Sequence, residues 1–166
     1  MILPKERDPR FITIRRGGTL TDLDHQALAL WAADCAEHVV PLFASVRPAD
    51  ERVRMAIDGA RAWARGEMSM WDARTLAGNA NAAARDLKGA PRFAAYAAAQ
   101  AAAVGHVAAH ELGAAAYAIR AVEAATAGAG RAECVWQRDR LPAAIRELVL
   151  DDQHVRNHLC WFVFDC

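Results

Sequence analysis

The sequence predicts an all-α domain of six to eight helices that follows a short extended N-terminal arm. Alanine, which has the highest helix propensity, dominates long parts of the chain. Apolar residues recur at steps of three and four in most segments, as on one face of a helix. Glycine or proline separates these segments. The 166 residues are the length of one ordinary domain.

The arm is predicted for residues 1–20 and the helical domain for residues 21–166. Residues 10–16, with the sequence RFITIRR, are rich in β-branched side chains, and Gly17 and Gly18 end this stretch. An isolated strand would lack a partner, so we expect a short strand or an extended arm here.

The first helix is predicted to begin at Thr21, which with Asp24 nearly forms a capping box. Pro41 is expected to end or kink it. Asp34 interrupts one of its apolar stripes, and a buried carboxylate needs a partner. The candidates are Arg61, Arg120 or a histidine of the central turn.

The remaining helices follow from the same signals. The second is predicted for residues 47–65, and the third begins at Ser69, three residues before Asp72. Residues 91–127 predict a helical pair with a turn between Gly105 and Gly113, since each glycine weakens a helix by about 1 kcal/mol. In the last third of the chain we predict three short helices, over residues 131–140, 142–150 and 152–164. Large buried surface is expected from the five tryptophans, which are Trp31, Trp63, Trp71, Trp136 and Trp161.

Composition excludes several classes of protein. Twenty basic and twenty acidic residues give zero net charge, which argues against a nucleic-acid binder held by a strong basic field. The N-terminus lacks the apolar run of a signal peptide, and the four cysteines lack the spacing of a metal site. Polar residues interrupt the apolar segment 90–109, so no membrane span is expected there. We therefore expect a cytoplasmic protein with reduced thiols.

Two patterns could carry catalysis. His106 and His110 are four residues apart, as on one helix face, and Asp34 or Glu111 could supply a third ligand to a metal ion. The pair His154 and His158 has the same spacing. A metal-dependent enzyme is therefore one alternative, although position 114 is alanine and the HEXXH motif is incomplete.

Cys35 with His38 is the second pattern, because a histidine could activate the thiol. The place of Cys35 on an apolar stripe favours a buried structural role instead. No complete catalytic or cofactor motif is found, so we predict no catalytic residue and no cofactor.

Polar residues on otherwise apolar helix stripes are few, and buried ones need hydrogen-bond partners. We therefore expect the first helix to meet the central turn through one cluster, which serves as a structural contact or a small binding site. Its members are predicted to be Asp34, His38, His106, His110 and Tyr117.

Four strings together resemble a family of all-helical bacterial immunity proteins, the antidote partners of polymorphic toxins. They are LALWAADCAEHVVPLF at residues 28–43, ARAWARGE at 60–67, AVGHVAAHELGAAAYAIRA at 103–121 and WQRDRLPAAIRELVLDD at 136–152. The resemblance implies a cytoplasmic, non-catalytic protein that binds and blocks a toxin. The acidic first helix is then a candidate surface for a basic toxin. A scaffold that forms a homodimer through its alanine-rich faces is a further alternative.

Overall fold

The computed structural model describes residues 3–166 and confirms the all-α fold, with seven α-helices and no strand in that range. The helices are α1 (Asp22–Ala44), α2 (Arg52–Ala64), α3 (Met70–Ala83), α4 (Gly89–Ala103), α5 (Glu111–Ala125), α6 (Gly130–Asp139) and α7 (Ala143–Arg156). Short 3-10 turns are formed by Pro9–Phe11, Ile14–Arg16, Ala108–His110 and Asn157–Cys160.

Both predicted helix starts are confirmed. The hydroxyl of Thr21 accepts a hydrogen bond from the Asp24 N–H at 3.0 Å, and Ser69 caps α3 in the same way through the Asp72 N–H at 3.1 Å. Each cap pairs an N–H group that the first turn of a helix leaves free. Pro41 does not end α1, which continues to Ala44. Pro41 lies in the last turn of the helix, where its missing N–H removes the hydrogen bond to the Glu37 carbonyl.

The N-terminal segment is not extended along its length. Residues 9–16 form two 3-10 turns, and one isolated bridge joins Thr13 to Leu20. The side chains of Phe11 and Leu20 are buried against the helices. Their burial removes apolar surface from water, which an arm held away from the bundle would leave exposed.

Helix α1 lies at the centre, and α4 packs against α1, α3 and α5. Most alanines of α4 and α5 are buried inside the chain. Their small side chains let neighbouring helices approach closely. The alanine-rich faces predicted for homodimer formation are thus already covered by other helices of the same chain.

Only one of the five tryptophans is fully buried. Trp31 lies in the core, and its indole N–H donates a hydrogen bond to the Gln137 carbonyl at 3.0 Å. Trp71 and Trp161 are exposed, while Trp63 and Trp136 are half-buried. The expectation that the five tryptophans supply large buried surface is met by Trp31 and is wrong for the exposed Trp71 and Trp161. The outer tryptophans are therefore available for contacts at the surface.

Three helix boundaries differ from the prediction. The central turn spans residues 104–110, so Gly113 lies inside α5 rather than at the break. Helix α7 continues through residues 150–152 to Arg156, and the last two predicted helices are therefore one helix followed by a 3-10 turn. Helix α2 begins at Arg52 rather than at residue 47.

Within residues 3–166, α1 is the one helix long and apolar enough to span a membrane, with a mean hydropathy of 1.3. More than half of its apolar stretch is buried inside the bundle. Its apolar character is therefore what a central core helix requires.

Two glycines give a matched test of the packing at the central turn. A Cβ atom on Gly105 would lie 2.8 Å from the Trp63 ring, whereas one on Gly78 would meet no atom within 4 Å. We expect Gly105→Ala to lower the free energy of unfolding by about 1–3 kcal/mol through overpacking. Gly78→Ala should raise it by about 0.5–1 kcal/mol through helix propensity. Urea denaturation checks both values, and equal effects of the two changes would contradict the packing.

Candidate functional site

The predicted polar cluster is not formed as one site, because Asp34, His38 and Tyr117 each contact residues outside it. Asp34 contacts Arg61 of α2, with 2.7 Å between carboxylate oxygen and guanidinium nitrogen. The N-terminal part of α1 meets the central turn instead, where His25 Nε2 donates to the Val104 carbonyl at 2.7 Å. Asp34 follows His25 by nine residues, which is a rise of about 13 Å along a helix, so Asp34 lies too far along α1 to reach that turn. The partner of Asp34 is thus the arginine among the predicted candidates.

The acidic face of α1, which carries Asp34 and Glu37, is largely neutralised by arginine side chains of α2. Arg61 also contacts Glu37 at 2.6 Å, and Arg54 contacts the other carboxylate oxygen of Glu37 at 2.7 Å. These guanidinium groups lower the pKa of Glu37, with the hydrogen bond from Arg61 as the largest cause. A face whose carboxylates already have basic partners presents little net negative charge to another protein.

His38 lies on the same end of α1 but faces α6. Its Nδ1 donates to the buried carboxylate of Glu133 at 2.7 Å, and its ring stacks on Trp136 with centroids 3.7 Å apart. Arg140 covers Trp136 at 3.9 Å. His38 therefore pairs with a carboxylate and does not activate the Cys35 thiol. Cys35 is fully buried, and burial raises its pKa well above the ordinary value.

His106 and His110 do not share a helix face. His106 precedes the 3-10 turn, and His110 ends it. Nδ1 of His110 donates to the Gln100 side chain at 2.8 Å. Glu111, the other predicted metal ligand, is buried beside Arg156, 3.3 Å from its guanidinium. No group of three His, Cys, Asp or Glu side chains within residues 3–166 is placed to hold a metal ion.

The burial of His110 has a measurable consequence. Burial, followed by His106, Arg156 and Arg7, lowers its pKa to about 4, against about 6.5 in an unfolded chain. Between these values the unfolded chain takes up a proton that the folded chain does not. We therefore expect stability to fall as the pH falls from about 6.5 to about 4, by up to about 1.4 kcal/mol per pH unit.

His110→Gln isolates this effect from His25 and His106, whose pKa values burial also lowers. As the pH falls from about 6.5 to about 4, the wild type should lose more unfolding free energy than His110→Gln, so the difference between them should move in favour of the variant. It should be constant above about pH 7. Parallel curves from pH 7 to pH 4 would contradict a buried neutral His110.

Tyr117 points to a surface that the sequence did not reveal. It contacts the rings of Tyr96 and Trp161, each with centroids 5.2 Å apart. Between α4, α5 and the C-terminal turn lies a surface of aromatic rings around one guanidinium group. We call this surface the aromatic–arginine patch, and it consists of Phe93, Tyr117, Arg120, Trp161 and Phe162.

Arg120 lies between two rings of the patch. Its guanidinium carbon is 4.1 Å from the Phe93 centroid and 4.1 Å from the Trp161 centroid. Burial lowers the pKa of Arg120, and no carboxylate within residues 3–166 forms an ion pair with it. The stacking holds a planar donor group in place while its hydrogen-bonding capacity remains for a partner.

The patch includes two exposed side chains on unfavourable backbone. Trp161 and Phe162 both have φ of 58°, in the left-handed region, although neither is glycine. Their exposed fractions are 43% and 62%. A non-glycine residue in this region costs about 1–2 kcal/mol, and such costs persist where the surroundings fix the chain.

The surroundings of the C-terminal turn do fix it. Asn157 accepts a hydrogen bond from the Phe164 N–H at 3.1 Å, and its carbonyl accepts one from the Phe162 N–H at 2.9 Å. The Arg138 guanidinium donates to the Phe164 carbonyl at 2.8 Å. Trp161 and Phe162 are thus presented on a held turn, so little conformational entropy would be lost on binding.

A disulfide between Cys134 and Cys166 ties this turn to α6. This corrects the expectation that all four thiols are free; Cys35 and Cys160 are the two buried free cysteines. The pairing is invisible in the sequence because the two cysteines are 32 residues apart and follow no motif.

Reduction of the disulfide should loosen the turn. We expect dithiothreitol to lower the free energy of unfolding by about 2–4 kcal/mol, as for a loop of this length. Amide exchange over residues 161–166 should become faster. Cys134→Ser with Cys166→Ser should reproduce both effects and make the protein insensitive to dithiothreitol. A double variant as stable as the oxidised wild type would contradict this role.

The comparison with known families decides the class of protein. A family model described as Imm-5 like putative immunity protein matches residues 18–144. The chain belongs to this family. No curated protein and no solved structure matches it. Membership of the Imm-5-like family implies that the partner is another protein.

The Imm-5-like family model covers only part of the aromatic–arginine patch. Phe93, Tyr117 and Arg120 lie within the matched residues, whereas Trp161 and Phe162 lie beyond residue 144. The sequence signal for the exposed pair was weak, because the adjacent aromatics WF resemble the apolar face of a last helix. Only the left-handed turn after Cys160 directs these side chains outward.

Proposed function

We propose that this Imm-5-like protein neutralises a bacterial toxin by binding it through the aromatic–arginine patch, without chemistry of its own. The observation that carries the proposal is the pair Trp161 and Phe162, exposed on a held turn beside the stacked, unpaired Arg120. Tryptophan, tyrosine and arginine are the residues most enriched at the energetic centre of protein interfaces.

The surroundings of the patch suit an interface. A stable complex covers about 800 Å² on each partner, with an apolar centre and a polar rim. Glu123 and Arg131 border the shallow pocket between Arg120 and Phe162. These charges supply a rim, and the aromatic centre between them supplies the apolar surface whose burial favours association.

This proposal replaces the acidic face of α1 as the predicted toxin contact, because Arg54 and Arg61 already pair with its carboxylates. The metal-dependent alternative is not pursued either. It needed His106 and His110 together with an acid such as Asp34 or Glu111, and no group of three such side chains within residues 3–166 is placed to hold a metal ion.

Co-expression with the toxin encoded beside the gene tests the function. We expect cells that produce both proteins to survive and the two proteins to copurify as a complex. A toxin that kills equally in the presence of this protein, with no complex formed, contradicts the proposal. Sedimentation of the free protein belongs with this test, since a stable homodimer that covers the patch would also contradict it.

The location of the protein in the cell is part of the proposal. We infer that it acts in the cytoplasm, where a toxin made by the same cell would first do harm. Cytosolic thiols are kept reduced, so the disulfide would be open there, and the turn would be held by the hydrogen bonds of Asn157 and Arg138. Alkylation of thiols in intact cells, followed by mass spectrometry, should find Cys134 and Cys166 free. If Cys134 and Cys166 are instead found fully joined as a disulfide in intact cells, the protein acts in an oxidising compartment.

A further inference from the structure

A cleft on another side of the molecule is lined by basic residues and by aromatic rings. It lies between the N-terminal 3-10 turns, the start of α3 and the central turn, and its volume is about 460 Å³. We call it the cationic cleft, and we define it by Arg7, Arg15, Arg16, Trp63, Met70 and His106.

The charge of the cleft is one-sided. No Asp or Glu lines it. Arg15 contacts Asp22 at 2.9 Å, whereas Arg7 and Arg16 form no ion pair within residues 3–166. Two unpaired cations, Arg7 and Arg16, in a chain of zero net charge therefore form a local positive potential at a concave surface, where field lines are focused.

The imidazole of His106 lies within this potential. Its Nδ1 atom is buried and has no hydrogen-bond partner. Burial, followed by the charges of Arg74, Arg16 and Arg7, lowers its pKa, so the ring is neutral at pH 7. A neutral imidazole beside uncompensated arginines leaves the cleft with unmet hydrogen-bonding capacity in addition to unmet positive charge.

The floor of the cleft is apolar. Gly105 lets the Trp63 ring lie close to the central turn, since a Cβ atom there would be 2.8 Å from the ring. Phe11 and Met70 extend this floor. A bare phosphate would use the arginines and leave the floor in water, whereas a peptide that carries carboxylates beside apolar groups would use both.

We propose that the cationic cleft binds an acidic peptide segment of a protein partner, with its carboxylates on Arg7 and Arg16 and its apolar groups on Trp63 and Met70. The proposal rests on the proposed function only for the identity of that partner, which would be the toxin. A nucleic acid is disfavoured because the rest of the surface carries no net positive charge to hold a polyanion.

The test uses hexaglutamate as the probe and calorimetry as the readout, at low salt. We expect saturable binding, and Arg16→Glu should weaken it by about tenfold or more, because a like charge opposes the ligand. Arg85→Glu is the matched control, since it makes the same charge change at an exposed site beyond the far end of α3. Circular dichroism of both variants checks that they fold, and hexalysine checks the sign of the charge.

Three results would overturn the proposal. They are no binding of hexaglutamate, equal binding by the Arg16→Glu and Arg85→Glu variants, and binding of inorganic phosphate or single-stranded DNA at this cleft in place of the peptide. None of these measurements involves the toxin. Failure of the cleft is therefore distinguishable from failure of toxin binding through the aromatic–arginine patch.

Discussion

Trp161→Ala should weaken toxin binding by about 30-fold or more, the effect of losing about 2 kcal/mol at the centre of an interface. Trp161 supplies exposed aromatic surface and one of the two rings that hold Arg120. Its truncation therefore removes apolar contact and also frees the guanidinium group. Arg120→Ala should cause a loss of similar size, and the double variant should lose less than the sum, because the two residues act as a unit. Isothermal calorimetry with the purified toxin measures all three.

Phe162→Gly separates binding from folding. Glycine adopts a φ of 58° without steric cost, and the Phe162 side chain is 62% exposed, so the change should leave stability equal or raise it by about 1 kcal/mol. Toxin affinity should nevertheless fall, because an aromatic ring of the patch is lost. Met55→Ala, which truncates an exposed apolar side chain on α2, is the control and should keep full affinity. Equal affinities for all these variants would show that the toxin binds elsewhere.

Arg156→Leu should lower the free energy of unfolding by about 3–5 kcal/mol, the largest loss of stability that we expect. Arg156 is buried, and its guanidinium donates to Asp152, Glu111 and the Ala109 carbonyl. Burial, followed by the charge of Asp152, raises the pKa of Glu111 well above its ordinary range. Loss of the arginine leaves a buried carboxylate without its cation.

Urea denaturation measures this loss, and thermal unfolding should show a midpoint lower by about 6–20 °C. Arg54→Leu is the matched control, because its ion pair with Glu37 is exposed and should contribute less than about 1 kcal/mol. Replacement of Arg156, Asp152 and Glu111 together by leucine should restore much of the stability. A loss below 1 kcal/mol for Arg156→Leu would contradict a buried ion network.

Local signals in the sequence predicted the fold well. Thr21 and Ser69 cap helices as expected, because a cap depends on residues only three apart. Alanine content and apolar periodicity were sufficient for the all-α class. Pro41 and Gly113 are poor markers of the helix boundaries, since Pro41 lies inside the last turn of α1 and Gly113 inside the first turn of α5.

The candidate site could not be predicted because it depends on long-range contacts. Asp34 had three candidate partners of equal chemical merit, and only the crossing of α1 and α2 selects Arg61. Arg120 is 41 residues before Trp161, yet the two stack. The sequence predicts Tyr117 as a polar residue on an apolar stripe, but its neighbours are aromatic rings rather than histidines.

Hydrogen–deuterium exchange of the complex with the toxin tests the central claim most directly. We expect binding to slow exchange at amides of the C-terminal turn, residues 157–166, and in the α5 segment around Arg120. Exchange on the outer face of α2, around Arg54 and Met55, should be unchanged. Protection confined to α2 and the acidic face of α1, with none at Trp161 and Phe162, would contradict binding through the aromatic–arginine patch.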